Sequence, residues 1–182
     1  KREALNRFYT ALEISENAND NLTQLKAYSN IGWAMMELNQ FEQAINNFRT
    51  ALAFANNKKL PETYTAILYN NLASSFGSLS STDSAYYYSK LAIEKAHSTG
   101  NLVAEANGLF ILGNAQIKKG ELNEALSNFL KAQPLREKTG DPFFIVSDKS
   151  AISSLYAKLG RTKEGVETAT EALQIALKNN IT

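Results

Sequence analysis

Small residues recur along this chain at a nearly constant interval, and this repeat constrains the fold more than any other feature. Intervals of 40, 41, 40 and 40 residues separate the members of one series, Ala4, Ala44, Ala85, Ala125 and Gly165. The same intervals separate a second series, Ala11, Ala51, Ala92, Ala132 and Ala172. A fixed period of this length is typical of a solenoid, in which each unit buries its apolar face against its neighbours. Such a fold displays a surface, so the sequence predicts an interaction module.

Each period contains two amphipathic segments with helical spacing. In the second unit, large apolar residues follow one another every three or four positions from Tyr28 to Leu38, and a second series begins at Phe41. A large residue followed by a small one recurs within the first segment, at Ile31-Gly32, Leu72-Ala73, Leu112-Gly113 and Ile152-Ser153. We expect the small member to meet the small residues of the Ala44 series across a helix hairpin, so that small against small sets the distance between the helices.

This arrangement resembles the tetratricopeptide repeat. The second unit carries the pattern at Tyr28, Ile31-Gly32, Phe41, Ala44, Phe48 and Ala51. The fourth unit carries it at Leu109, Leu112-Gly113, Gly120, Leu122, Ala125, Phe129 and Ala132. The fifth unit departs from the pattern, because Lys149 replaces the leading large residue and Ala169 replaces an aromatic. The resemblance implies an all-α fold, a right-handed α-α superhelix (solenoid) of antiparallel helix hairpins with about nine helices.

The domain organisation follows from the repeat. We expect a single repeat domain over 1–182, with a half repeat (second helix only) at 1–20 and full repeats at 21–59, 60–100, 101–140 and 141–182. The period exceeds the roughly 34 residues usual for the family, and we expect the extra residues in longer helices. The sequence does not start with Met, so we expect it to come from a longer protein. Neither end carries a dedicated polar cap, which predicts either further repeats or an end-to-end homodimer.

Glycine and proline mark the expected helix boundaries. Gly100 and Gly140 suit left-handed C-terminal caps, and Pro142 suits the first turn of the helix that follows. Pro134 falls late in a helical segment and is expected to kink or end it.

Charge and composition exclude several classes of partner. The 19 basic and 18 acidic side chains give a formal net charge of +1, and the basic residues are scattered. We therefore expect no nucleic-acid partner, and no direct membrane insertion, since no apolar stretch approaches the roughly 20 residues of a bilayer span. The chain has no cysteine, which removes disulfides and thiolate chemistry. The compartment stays open: the cytoplasm is favoured, and an extracytoplasmic sensor is the alternative.

The resemblance places a partner-binding site in a concave groove lined by the first helices. The candidate residues are Asn30, Trp33, Asn70, Asn71, Phe110, Asn114, Lys118 and Lys158. Asparagine amides donate and accept hydrogen bonds, so they suit the backbone of an extended peptide, while Trp33 or Phe110 would hold one anchor side chain. The alternatives are that the asparagines contact no ligand and that Trp33 packs against the next unit. A chaperone-tail adaptor fits poorly, because the third unit lacks the basic residues that clamp a terminal carboxylate.

Two functional classes remain open. The first is a scaffold that binds a protein or peptide partner, and the second is a sensory or dimerisation domain of a larger signalling or transcriptional regulator. His97 is the only histidine, and no nucleophile is placed for it to activate. We therefore expect no enzyme, no cofactor and no metal site.

Overall fold

The computed structural model describes residues 2–181, and this part of the chain contains nine α-helices and no strand. In chain order the helices are α1 (Arg2–Asn17), α2 (Asn21–Glu37), α3 (Phe41–Asn57), α4 (Glu62–Ser78), α5 (Thr82–Ser98), α6 (Leu102–Lys119), α7 (Leu122–Thr139), α8 (Pro142–Lys158) and α9 (Thr162–Lys178). The predicted all-α architecture of about nine helices is confirmed.

Successive helices pack against each other along the whole array. Short turns join α2 to α3, α4 to α5, α6 to α7 and α8 to α9 into four hairpins, and first helices of neighbouring hairpins also touch, as α4 and α6 do. The buried apolar side chains lie between these helices, with Phe48, Leu72, Phe129 and Ile152 almost fully enclosed. No helix within residues 2–181 has the length and hydropathy required to cross a membrane.

Each of the eight inter-helix turns contains one residue in the left-handed conformation, and so does the segment after α9. The turn residues are Asn19, Asn39, Lys59, Ser80, Gly100, Gly120, Gly140 and Gly160, and the residue after α9 is Asn180. The predicted caps are confirmed, since Gly100 has φ 67° and Gly140 has φ 72°, and Pro142 starts α8 as expected. At the other turns Asn, Lys or Ser adopts the left-handed conformation, although a side chain makes this conformation less favourable than it is for glycine.

Pro134 does not end its helix. α7 continues past it to Thr139, so the expectation that Pro134 ends the helix is wrong, and a kink at this position stays a prediction. A proline within a helix removes one backbone hydrogen bond and costs roughly 3 kcal/mol. The burial of Ala132 before it and of Arg136 after it holds both flanking turns against the core and offsets that cost.

The small residue in the middle of α2 and of α6 faces an aromatic ring, which departs from the expectation of small against small in these two hairpins. A Cβ added to Gly32 would lie 2.6 Å from Cε1 of Phe48, and one added to Gly113 would overlap the ring of Phe129. The atoms nearest to these glycines therefore belong to phenylalanine rings and not to the Ala44 series. In the last hairpin two small residues do meet, because Ser153 Oγ donates a hydrogen bond to the Gly165 carbonyl oxygen at 2.8 Å.

An ion pair that sequence reasoning did not anticipate joins α7 to α8. Arg136 Nε donates to Asp148 Oδ2 at 2.9 Å, and each side chain is 3% exposed. The Arg136 guanidinium also lies over the Phe144 ring, 4.6 Å from its centre. Burial raises the pKa of the Asp148 carboxyl, although the hydrogen bond from Arg136 acts in the opposite direction.

Candidate partner-binding groove

The first helices α2, α4, α6 and α8 repeat one pattern of exposed positions, which defines the first-helix groove. Alignment on Ile31, Leu72, Leu112 and Ile152 brings equivalent positions into rows across the four helices. One row is Asn30, Asn71, Ile111 and Ala151; the next is Trp33, Ser74, Asn114 and Ser154; the third is Glu37, Ser78, Lys118 and Lys158. Six of the eight candidate residues fall in these three rows, and the other two, Asn70 and Phe110, fall outside them.

A pocket of about 380 Å³ opens in this groove between α4 and α6. Its lining includes Ser74, Gly77 and Ser78 from α4 and Ile111, Asn114 and Lys118 from α6. Two of the candidate residues, Asn114 and Lys118, thus share one pocket and lie one helical turn apart on α6. The lining offers hydroxyl, amide and ammonium groups beside an apolar wall.

The pocket exists because α4 lacks a side chain at Gly77. The equivalent positions in the other first helices are Met36, Ile117 and Ala157, all of which carry one. A Cβ added to Gly77 would meet only the Cβ of Ala85, at the ordinary distance of 3.9 Å. Packing therefore does not require glycine here, and its effect is to leave space in the groove.

Lys118 closes one side of the pocket by contacting the end of α4. Its Nζ donates a hydrogen bond to the Gly77 carbonyl oxygen at 2.7 Å. The last carbonyls of a helix carry partial negative charge, so an ammonium group is favourable there. This contact holds the charge of Lys118 at the mouth of the pocket, where the side chain remains exposed to solvent.

The remaining residues of the rows differ in their exposure. Trp33 leaves 53% of its surface exposed, so its ring is not buried against the next unit. Asn30, Asn114 and Lys158 are exposed and Asn71 is half-buried. These side chains are accessible to a partner that lies along the first helices.

Asn70 and Phe110 do not belong to this surface, which departs from the expectation. Asn70 is only 5% exposed, and its Nδ2 donates to the Ala104 carbonyl oxygen at 2.8 Å, linking α4 to α6. Phe110 stacks on Phe129 with the ring centres 5.1 Å apart. The two residues are equivalent in register, one position before the first row, and that position faces neighbouring helices. Register alignment is the sequence signal that separates Asn70 from Asn71.

Other polar and aromatic residues singled out in the sequence do not form a second centre. His97 is exposed, with Nδ1 3.2 Å from Glu105 Oε1. Within residues 2–181, no group of acidic side chains and histidine is arranged to hold a metal ion. In the run Tyr86-Tyr87-Tyr88, Tyr88 stacks on Phe76 with ring centres 5.4 Å apart, while Tyr87 points outward.

Comparison with known proteins agrees with the helical geometry. Residues 25–58 match the sequence profile of the family described as tetratricopeptide repeat. No curated protein sequence matches the chain. Among solved structures, BtubC from P. vanneervenii is similar over 98% of this chain and 74% of its own, with a TM-score of 0.83 and 20% identity.

Two further structures have a TM-score of 0.85 to this chain. One is aspartyl phosphate phosphatase F from Bacillus subtilis, at 14% identity, and the match covers 95% of this chain and 45% of that one. The other is a Rap protein complexed with competence and sporulation factor, at 17% identity, with 95% and 48% covered. The chain thus spans less than half the length of these two proteins. At such identities the likeness establishes the fold, and it transfers neither the phosphatase activity nor the ligand.

Proposed function

This chain carries a tetratricopeptide repeat within an array of tetratricopeptide-like helix hairpins, and from that premise we propose that it binds an extended segment of a protein partner in the first-helix groove. The observation that carries the proposal is the pocket between α4 and α6, which Gly77 leaves open beside Asn114 and Lys118. General protein interaction is typical of the fold, and the proposal adds the place and the chemistry of contact.

The lining of the pocket selects for a particular kind of segment. The apolar wall formed by Ala85 and Ile111 accepts a small or medium aliphatic side chain. The amide of Asn114 pairs with a peptide backbone, because it both donates and accepts. Lys118, whose ammonium group already lies at the mouth of the pocket, favours a carboxylate next to that aliphatic side chain.

Residues beyond the pocket extend the same surface. Trp33 lies in the same row as Asn114, two first helices away, and an exposed tryptophan is a favourable anchor for a partner. Asn71 offers a second amide, and Lys158 repeats the charge of Lys118 on α8. A segment that crosses α2, α4, α6 and α8 would therefore meet an aromatic residue first, then amides, and then two lysines.

The test fills the pocket without disturbing the core. A library of random peptides is selected on the immobilised chain, and the affinity of the selected peptides is measured by fluorescence anisotropy. Gly77→Met copies Met36 into α4 and places a side chain in the pocket, so we expect it to weaken binding at least about tenfold, equivalent to about 1.4 kcal/mol. Ala53→Met, on the exposed surface of α3, is the matched control and should leave the affinity unchanged.

The outcome with the filled pocket decides the proposal. Selected peptides that bind Gly77→Met as tightly as the wild type would place recognition elsewhere. Substitution of both Asn71 and Asn114 by alanine then checks the backbone contacts. We expect this double variant to bind every selected peptide more weakly by a similar factor. An amide that hydrogen-bonds to the peptide backbone makes the same contact whatever side chains the peptide carries.

A second candidate function, dimerisation within a larger regulator, is favoured by the exposed face of α9. Val166, Leu173 and Leu177 all leave more than half of their surface in solvent. If this face mediates self-association, Leu173→Glu should shift the sedimentation coefficient from that of a dimer to that of a monomer. A chain that sediments as a monomer at all accessible concentrations would exclude this candidate.

A further inference from the structure

A larger cleft lies outside the first-helix groove, between the second helices α5 and α7. Its volume is about 770 Å³, and α6 forms its floor through Leu109 and Leu112. Tyr86 and Tyr87 stand on the α5 wall, and Leu135 lies on the α7 wall. We call this space the α5–α7 cleft. Its volume lies within the range of roughly 300 to 1,000 Å³ that is typical of small-molecule sites.

Comparison with the preceding hairpin shows why the cleft is open. Forty residues before Leu109 stands Tyr69, and forty before Asn128 stands Tyr88. The rings of Tyr69 and Tyr88 pack with their centres 6.1 Å apart and reduce the corresponding space between α3 and α5 to a pocket of about 380 Å³, which Thr65, Tyr69 and Lys95 help to line. The α5–α7 cleft therefore has about twice the volume of its counterpart one repeat earlier, where two tyrosine rings take up part of the space.

The following hairpin closes the same space with charge. Forty residues after Leu109 stands Lys149, and forty after Lys131 stands Glu171. Lys149 Nζ and Glu171 Oε2 form an ion pair of 2.7 Å between α8 and α9. In the α5–α7 cleft the equivalents are Leu109 and Lys131, so an ion pair cannot form there. Lys131 stands at the position of the acid Glu171, and Leu109 stands at the position of Lys149.

The charges around the cleft are unequally satisfied. Lys131 stands on the α7 wall and Lys90 on the α5 wall, and neither forms an ion pair with a carboxylate among residues 2–181. The Lys90 ammonium lies over the Tyr86 ring, 5.7 Å from its centre. Two acids also line the cleft, and one of them, Glu105, already contacts His97.

Asn128 adds a fixed polar group to the α7 wall. Its Nδ2 donates to Gln116 Oε1 at 2.6 Å, a contact that takes the place of the stacked Phe76 and Tyr88 of the preceding hairpin. This hydrogen bond fixes the orientation of the amide. Glu94, on the α5 wall, is the remaining acid of the lining. The cleft thus combines an apolar floor, an aromatic rim, two lysines, two acids and one oriented amide.

We propose that the α5–α7 cleft binds a small organic anion whose ring-shaped apolar body takes the place of the missing tyrosines and whose acidic group pairs with Lys131 and Lys90. The apolar floor stabilises the body by burial, and the acidic group of the ligand supplies to Lys131 and Lys90 the negative charge that Glu171 supplies to Lys149 in the next hairpin. This site is separate from the first-helix groove, so its occupant and a peptide can bind together.

The probes are 2-naphthoate and its neutral counterpart 2-naphthalenemethanol, each titrated into the isotopically labelled chain while amide resonances are recorded. We expect 2-naphthoate to shift amides of α5, α6 and α7 and to bind more tightly than the alcohol. Lys131→Gln should weaken 2-naphthoate about threefold, as for a partly exposed ion pair, and leave the alcohol unchanged. Lys163→Gln on the exposed surface of α9 is the matched control.

A second variant restores the missing ring. Leu109→Tyr copies Tyr69 into α6 and should abolish binding of both compounds, whereas Leu130→Tyr, on the exposed side of α7, should not. Shifts confined to other helices, equal affinity for the anion and the alcohol, or full binding by a folded Leu109→Tyr would each overturn the proposal. If Leu109→Tyr does not fold, the Lys131→Gln comparison alone decides the outcome.

Discussion

The contact between Gly32 and Phe48 gives a prediction that can be worked out from the structure. In Gly32→Ala the new Cβ would lie 2.6 Å from Cε1 and 2.8 Å from Cδ1 of Phe48. Carbon atoms in contact are normally about 3.5 to 4.0 Å apart, so the overlap is roughly 1 Å. Phe48 is fully buried and has no open space into which to move. The clash must therefore be relieved by shifting α2 away from α3.

The change in the free energy of unfolding that we expect for Gly32→Ala follows from two opposing effects. Overpacking a core costs about 1 to 3 kcal/mol, and an overlap of this size with an enclosed ring falls towards the upper end. Replacing glycine by alanine inside a helix stabilises by up to about 1 kcal/mol. We therefore expect Gly32→Ala to lower the free energy of unfolding by about 2 kcal/mol. Gly77→Ala, which meets no close atom, is the control and should not destabilise the chain.

A double-mutant cycle separates the clash from other effects. Phe48→Ser alone should cost about 3 to 5 kcal/mol, as for other aromatic truncations in a core. In the double variant the alanine has room, since Ala73 and Ser89 form the same pair in the next hairpin. The two changes should then couple by about 2 to 3 kcal/mol. Urea denaturation followed by circular dichroism provides the free energies.

Additive costs would refute this reasoning. If Gly32→Ala destabilises the Phe48→Ser background as much as it destabilises the wild type, the ring is not the cause. Stabilisation by Gly32→Ala alone would show that α2 and α3 can separate without loss of packing.

Three further predictions concern single sites. Lys59→Gly should stabilise the chain by about 1 kcal/mol in urea denaturation, because Lys59 holds φ at 51° and only glycine adopts that region without steric cost; Lys58→Gly, with φ at −87°, should destabilise it. Asp148→Ala should cost about 3 to 5 kcal/mol by leaving Arg136 buried and unpaired, while replacement of both residues by leucine should cost less, and thermal unfolding of the variants tests this. Asp20→Asn should be less stable than the wild type at neutral pH, and the difference should narrow in acid. Hydrogen bonds from Thr23 and Leu22 at the start of α2 lower the pKa of Asp20, so the stability it contributes is present above the ordinary carboxyl pKa and is lost as the pH falls through the lowered one. A difference that stays constant as the pH falls would contradict this.

Local signals in the sequence were sufficient to predict the helices and the turns between them. The period of the alanines, the spacing within each segment and the turn residues such as Gly140 all act over a few positions, so they predict helices without knowledge of packing. Whether a given side chain is buried or exposed depends on how neighbouring hairpins pack against one another. Asn70 and Asn71 are adjacent and chemically identical, yet one is buried against Ala104 and the other lies in the groove.

The features that were missed either join two different helices or emerge only when one hairpin is compared with the next. The Arg136–Asp148 pair is a case of the first kind, since neither residue alone signals burial. The α5–α7 cleft is a case of the second kind: Leu109 is an unremarkable core residue until it is set beside Tyr69 and Lys149. The division of the chain into the repeats given above remains a prediction.

The pairing of a small residue with a ring sorts the hairpins into two kinds. Glycine faces phenylalanine at Gly32 with Phe48 and at Gly113 with Phe129. The corresponding pairs are Ala73 with Ser89 and Ser153 with Ala169. If α4 packed against α3, the methyl group of Ala73 would clash with the Phe48 ring. If α2 packed against α5, Gly32 would leave a space beside Ser89. Exchange of first helices between alternate hairpins would preserve the fit. The structural repeat of this array is therefore two hairpins long.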